Sequence, residues 1–209
     1  MTATRRHLIF LPVLLALLSA PCLCEWWEWE DRSPAEAVDL MKVLHVAPGA
    51  TVAEIGAGGG ELARAMALLL GPDSRLYATE LLDDYMKMMT ERLTPEEFPQ
   101  ITIVRGAETT TNLPAGSCDA VYLRRVFHHV SRPVEMSAAI FELLRPGGRL
   151  AVVDFRLGGI RAATHGISPE VIEKHLADAG FKLEQTSESW REGDYIVVAS
   201  KPVASDPEP

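Results

Sequence analysis

Cysteine is scarce in this chain. There are three in 209 residues, and two of them, Cys22 and Cys24, fall close to the start. No cysteine and histidine grouping has zinc-site spacing, so a disulfide scaffold and a zinc module are both excluded and no metal is expected. Positive charge is also short: 20 Lys and Arg stand against 29 Asp and Glu, a net charge of −9. That balance argues against binding to a nucleic-acid backbone. No period of 20–50 residues recurs, which excludes a solenoid. No apolar run reaches the about 20 residues that a spanning helix needs. What remains is 47% apolar and 23% charged, the composition of one globular domain with a real core.

The start differs from the rest. Arg5 and Arg6 precede an apolar run from Leu8 to Ala20, and "PCLC" follows. A basic start, a short apolar stretch and small residues describe a secretory signal over 1–24, cleaved after Cys24. The reading predicts an exported protein, with no stable membrane insertion once the signal is removed. The alternative is an uncleaved signal that anchors the chain to the membrane. Cleavage would leave Cys118 alone, without a disulfide partner. "EWWEWEDR" at 25–32 is acidic and aromatic, and "KPVASDPEP" at 201–209 has the composition of a disordered tail. Between them, 25–200 reads as one domain.

Within it strand-like and helix-like stretches alternate. Ser33-Pro34 reads as an N-cap and first helical residue, opening a helix to about Val46 that Pro48-Gly49 ends. Strands are expected at 51–55, 75–80, 101–106, 119–124 and 149–155. Helices are expected at 61–70, with Leu62, Ala65, Met66 and Leu69 on the inner face, at 82–93 and from Pro133 to Leu144, where "RPGG" stops the last. A further helix runs from Ser168-Pro169 to Gly180 with the apolar stripe Val171, Ile172, His175, Leu176 and Ala179. "FKLEQTS" (181–187) and "YIVVAS" (195–200) predict a closing antiparallel hairpin. The class is therefore α/β: a doubly wound, mostly parallel sheet of about seven strands with helices on both faces. Ligands in such sheets bind beyond the carboxyl ends of the strands.

At one such end stands "VAEIGAGGGE", residues 52–61. Glycines there cost conformational entropy, so a close approach of backbone to a ligand is the expected return. A dinucleotide site wants G-x-G-x-x-G with a third glycine at 61, but position 61 is Glu61, whose charge would face a pyrophosphate. The spacing present is E-x-G-x-G-x-G, from Glu54 through Gly56, Gly58 and Gly60. Glu80 ends the next strand, where a carboxylate can accept from both hydroxyls of a ribose. Met86, Met88 and Met89 read as packing residues.

"EIGAGGG" resembles the first motif of the class I S-adenosylmethionine-dependent methyltransferases. Residues 106–130, "GAETTTNLPAGSCDAVYLRRVFHHV", are similar to that family's stretch from the third strand past the fourth, and "LLRPGGRLAVVDF" (143–155) to its fifth-strand region. "HHV" and "THGIS" look like a small exported subgroup. The resemblance implies S-adenosyl-L-methionine as cofactor, held by Glu54, Gly56, Ala57, Gly58, Gly60, Glu80, Leu81, Ala107 and Glu108. Two departures stand out. Gly106-Ala107 stands where many members of that family have Asp-Ala, leaving either Glu108, one step later, as a substitute toward the adenine amine or backbone contacts to hold the adenine. Arg124-Arg125 puts two cations near the expected sulfonium, so that one is expected to point away or to pair with Glu108 or an acidic acceptor.

Methyl transfer needs a base only where the acceptor must lose a proton. His128 and His129, just after the fourth strand, are the candidate catalytic residues, against the bland reading that one of the pair packs inward. His165 is a second acceptor-side candidate, and His175 reads as a core histidine. The expected function is transfer of a methyl group to a small-molecule or lipid-like acceptor. The competing reading is an inactive module of the same fold that binds the donor, its product or a nucleoside, which export from the donor's compartment would favour. An NAD-dependent oxidoreductase is disfavoured by Glu61 and by the lack of a Tyr-x-x-x-Lys pair. The acceptor and the oligomeric state stay open.

Overall fold

The computed structural model describes residues 33–156, 165–191 and 193–203. The expected signal at 1–24, the aromatic stretch at 25–32 and the tail beyond 203 lie outside the described residues. Among these, strands and helices alternate in the order α1 (Ser33–Leu44), β1 (Thr51–Ile55), α2 (Glu61–Leu70), β2 (Arg75–Glu80), α3 (Asp83–Arg92), β3 (Ile101–Arg105), β4 (Cys118–Arg124), a 3-10 turn (Phe127–His129), α4 (Pro133–Leu143), β5 (Leu144–Asp154), α5 (Pro169–Asp178), β6 (Lys182–Ser187) and β7 (Tyr195–Ser200).

The seven strands make one sheet in the order β3-β2-β1-β4-β5-β7-β6. β1 through β5 pair in parallel, and β7 enters antiparallel between β5 and β6. Alternate strand residues serve opposite faces. Val52, Ala120, Tyr122, Ala151 and Val153 join α1, α2 and α3 in one apolar cluster. Ala53, Val121, Leu123, Leu150 and Val152 join α4 and α5 in the other.

Helix ends follow local chemistry. His45 takes φ 53° after α1, in the left-handed region where a helix is closed, and its N–H donates to the Lys42 carbonyl at 3.2 Å. Gly71, at φ 82°, closes α2 with its N–H on the Ala67 carbonyl.

Three expectations need correction. Leu69 is 37% exposed, and Leu70 takes the buried place on α2. Ala63 and Ala67 turn inward as well, so the buried arc is rotated from the expected one. Val171 is 44% exposed while Ile172 and Leu176 are buried, which narrows the stripe on α5. "RPGG" is not a turn outside the strand: β5 starts at Leu144, which pairs with Cys118 across an irregularity in the β4–β5 register. Gly148 permits this, because a Cβ there would lie 2.9 Å from the Arg145 carbonyl oxygen and 3.0 Å from that of Asp119.

Candidate functional site

Strand order reverses direction between β1 and β4. The chain leaves β1 for α2 on one face and leaves β4 for α4 on the other. The two departures open a crevice at the carboxyl ends, the place where doubly wound sheets bind ligands. The glycine bend forms one wall and residues 125–132 form the other.

The bend is built from backbone. Gly56 and Ala57 donate to the Thr79 carbonyl at 2.9 and 2.8 Å, and Gly60 donates to Ala57 at 2.9 Å. Gly56, Gly58 and Gly60 have φ of 75°, 55° and 84°, a region that L side chains rarely adopt. The three glycines differ in what surrounds them. A Cβ at Gly56 would lie 2.6 Å from Val126 and one at Gly60 would lie 2.7 Å from Leu93, whereas one at Gly58 would meet nothing within 4 Å. Gly56 and Gly60 are thus required by packing, and Gly58 leaves open space.

Glu80 is almost buried and sits against the bend. Its Oε2 accepts from Gly58 N at 2.8 Å, and its Oε1 accepts from Leu81 N and Leu82 N at 2.7 and 3.0 Å. Leu81 is 46% exposed beside it. Gly106 N donates to the Glu80 carbonyl at 2.8 Å. A Cβ at Gly106 would come within 3.3 Å of the Glu80 backbone, a tight approach. Ala107 is half-buried and Glu108 exposed. Glu108 Oε2 accepts from Ser131 Oγ at 2.9 Å, so it ties the segment after β3 to the segment after β4.

Glu54 lies beneath the bend, on the inner face of β1. Burial pushes its carboxyl up to about 8, opposed in part by the hydrogen bond from Tyr122 Oη at 3.0 Å. Burial therefore favours its protonated form near neutral pH. Glu61 pairs with Arg92, which also donates to the Gly59 carbonyl at 2.8 Å. Arg124 and Arg125 each face an acid: Arg124 Nε lies 2.8 Å from Glu36 Oε2, and Arg125 Nε donates to Asp194 Oδ2 at 2.8 Å. Arg125 has φ 57°, which turns the chain sharply out of β4.

That turn delivers the histidines. Val126 packs on Gly56, so the 3-10 turn rests on the glycine bend. The two rings are in contact, 3.9 Å apart between centroids, but differ in exposure. The His128 side chain is 2% exposed, with Nδ1 2.7 Å from Asp154 Oδ1, and His129 is exposed. His129 titrates below its ordinary value, first because it is partly desolvated and then because His128 and His165 add like charge. His165 arrives from the other side: its ring lies 5.6 Å from His128 and 6.0 Å from His129. The segment is pinned where Ile167 N donates to the Phe155 carbonyl and Tyr195 Oη to the Ile167 carbonyl. His175 stands apart from this cluster, half-buried 6.3 Å from Phe127. Among the described residues no group of three or more His, Cys, Asp or Glu is arranged to hold a metal ion.

Sequence reasoning missed Asp154 and Phe155. Asp154 lies 26 positions from His128, and no spacing rule links them; only the parallel pairing of β4 with β5 does. A cleft of about 540 Å³ lies at the opposite, amino end of the strands, lined in part by Pro48, Gly49, Asp119, Arg145 and Arg149. Its charges are already spent, Asp119 on Arg145 and Arg149 on Glu184, and the glycine bend does not reach it.

Residues 53–152 match a family model described as a methyltransferase domain. A ubiquinone biosynthesis O-methyltransferase from Xanthomonas axonopodis pv. citri (strain 306) is 27% identical over 216 residues, covering 85% of this chain and 89% of the relative. A relative of the same name in Xanthomonas campestris pv. campestris (strain B100) is 30% identical over 131 residues, 60% of this chain and 54% of its own length. Among solved structures, a SAM-dependent methyltransferase from Aquifex aeolicus superimposes with a TM-score of 0.73 at 18% identity, over 81% of this chain and 92% of that one. Geranyl diphosphate methyltransferase in complex with SAM gives 0.67 at 17% identity, over 80% and 85%. At such identities the structural likeness is one of fold.

Proposed function

From the premise that the chain is an S-adenosylmethionine-dependent methyltransferase, with S-adenosyl-L-methionine as its cofactor, we propose that it methylates a hydroxyl oxygen on a small-molecule acceptor. The crevice fits the donor. Gly58 leaves space where a side chain would stand, and Glu80 brings a carboxylate with spare lone pairs to that space. Glu80 is the proposed ribose acceptor, Gly56 to Gly60 the floor under the donor, and Leu81, Ala107 and Glu108 the adenine side. When bound, the donor supplies a methyl group already activated on a sulfonium.

The chain's own part is alignment, exclusion of water and proton removal. The observation that carries the oxygen reading is His129. It is an exposed imidazole with a depressed pKa, on a turn resting against the glycine bend. Such a group is neutral at pH 7 and can take the proton of a weakly acidic hydroxyl. The printed name of the Xanthomonas relative, an O-methyltransferase, supports the same choice.

The test is methyl transfer from S-adenosylmethionine to simple catechols, with primary amines as controls. We expect O-methylated product from the catechols, and a loss of about 10²-fold or more in His129→Gln. Full activity in that variant, or methylation of the amines instead, would overturn the oxygen reading.

We also propose export, with membership of the small exported subgroup, through cleavage of 1–24. The basic start and the apolar run support it. The N-terminal sequence of the protein recovered from its native compartment tests this. A start near Glu25 is expected, and an intact Met1 would favour the membrane-anchored alternative.

A further inference from the structure

Asp154 ends β5 and is fully buried. One carboxylate takes three donors there. Oδ1 accepts from Phe155 N at 2.9 Å and faces His128 Nδ1 at 2.7 Å, and Oδ2 accepts from His128 N at 3.1 Å. It therefore fixes both the backbone and the ring of His128. A carboxylate accepts and does not donate, so the hydrogen of this contact sits on Nδ1. The ring so held is covered by His129 at 3.9 Å, Phe155 at 4.6 Å and His165 at 5.6 Å between centroids. The strap that carries His165 is tied to the same strand ends: Ile167 bonds Phe155, and Tyr195, whose hydroxyl bonds Ile167, stands beside Asp154 in the β5–β7 register.

We infer that Asp154 and His128 are positioning residues. Asp154 holds the His128 ring as a fixed back wall, and the His129 ring packed on that wall is the one that meets the acceptor. The inference rests on the function proposed above, and it divides a sequence pair whose members look equivalent. The wall does two things to His129. It removes part of its water, and it confines the ring to one orientation, so that little is left to organise when an acceptor arrives. The charged and titratable groups facing His129 are His128 on its own turn, His165 on the strap and Asp154 on β5; Tyr195 on β7 flanks Asp154.

The measurement is ¹⁵N NMR of the histidine rings across pH, on the whole chain, in wild type, Asp154→Asn and His128→Asn. Asparagine at 128 keeps an amide donor for Asp154 Oδ1 and removes the wall, so it carries the test even where Asp154→Asn fails to fold. In wild type His128 should hold its hydrogen on Nδ1, and His129 should titrate below about 6.5. In His128→Asn the His129 midpoint should rise toward about 6.5, while affinity for S-adenosylmethionine stays within about twofold. Folded Asp154→Asn, which also removes the one neighbouring charge that raises His129, is read instead by the His128 ring, whose hydrogen should no longer be confined to Nδ1. Against catechol, kcat should fall and KM change little. A wild-type His128 with its hydrogen on Nε2, or a His129 midpoint unmoved in His128→Asn, would overturn the inference. The ring measurements need no acceptor, so a wild type that methylated nothing would count against the oxygen reading and not against the positioning.

Discussion

At the residue scale the site rests on a few atoms that cannot be exchanged. Glu80 accepts from three backbone amides and closes the bend at Gly58. Its replacement by alanine removes the proposed ribose acceptor and should weaken S-adenosylmethionine binding by about 1–3 kcal/mol, which titration calorimetry reads directly. Gly56→Ala sets a methyl 2.6 Å from Val126 at a φ of 75°. It should cost at least about 1 kcal/mol of stability and push the histidine turn off the bend. Chemical denaturation measures the first effect and acceptor turnover the second. Glu54 titrates up to about 8 through burial. Between about pH 4.5 and 8 the unfolded chain loses a proton there that the folded chain keeps, so stability falls as pH rises across that window, on the order of 1 kcal/mol per pH unit. Glu54→Gln keeps an acceptor for Tyr122 and should flatten the slope, seen as a Tm that changes less from pH 5 to pH 9 than that of wild type. An equal slope in both proteins would show that Glu54 is already ionised.

At the scale of elements, the extents of β1, α2, β2 and β7 were legible because each is bounded by its own punctuation. "TVAEI" runs into glycines, α2 stops at Gly71, and "YIVVAS" is buried at every position. What could not be read was settled at a distance. Leu69 and Leu70 are equally apolar, and only the packing of α2 against its neighbours decides which turns inward. β5 begins early because Leu144 finds Cys118 across the sheet. The division of labour between His128 and His129 depends on Asp154, which arrives through β5. Helix α1 shows the same dependence. Glu36 is buried against Arg124, and Trp190 Nε1 donates to it at 3.3 Å from the segment between β6 and β7. Arg191, on the same segment, bonds the Ala35 carbonyl at 3.0 Å and pairs with Asp39. Glu36→Ala strips Arg124 of its partner and should destabilise the fold by about 1–3 kcal/mol, with the Arg124 charge one-third exposed and partly solvated. Differential scanning calorimetry checks it, and an unchanged Tm would mean that α1 is held by its apolar face alone.

At the scale of the whole molecule, a body with a net charge of −9 suits a cationic donor and not a polyanion. The sheet order puts the glycine bend and the histidine turn on adjacent strands at the one place where the chain departs to opposite faces. Fold and chemistry are thus joined at β1 and β4, and the rest of the sheet supports those two ends. The most direct measurement of this account is calorimetric titration of the whole chain with S-adenosylmethionine, with NAD as control. It predicts saturable binding of the sulfonium donor, weakened in Glu80→Ala, and no heat with NAD. Binding of NAD in its place, or donor affinity untouched by Glu80→Ala, would contradict it.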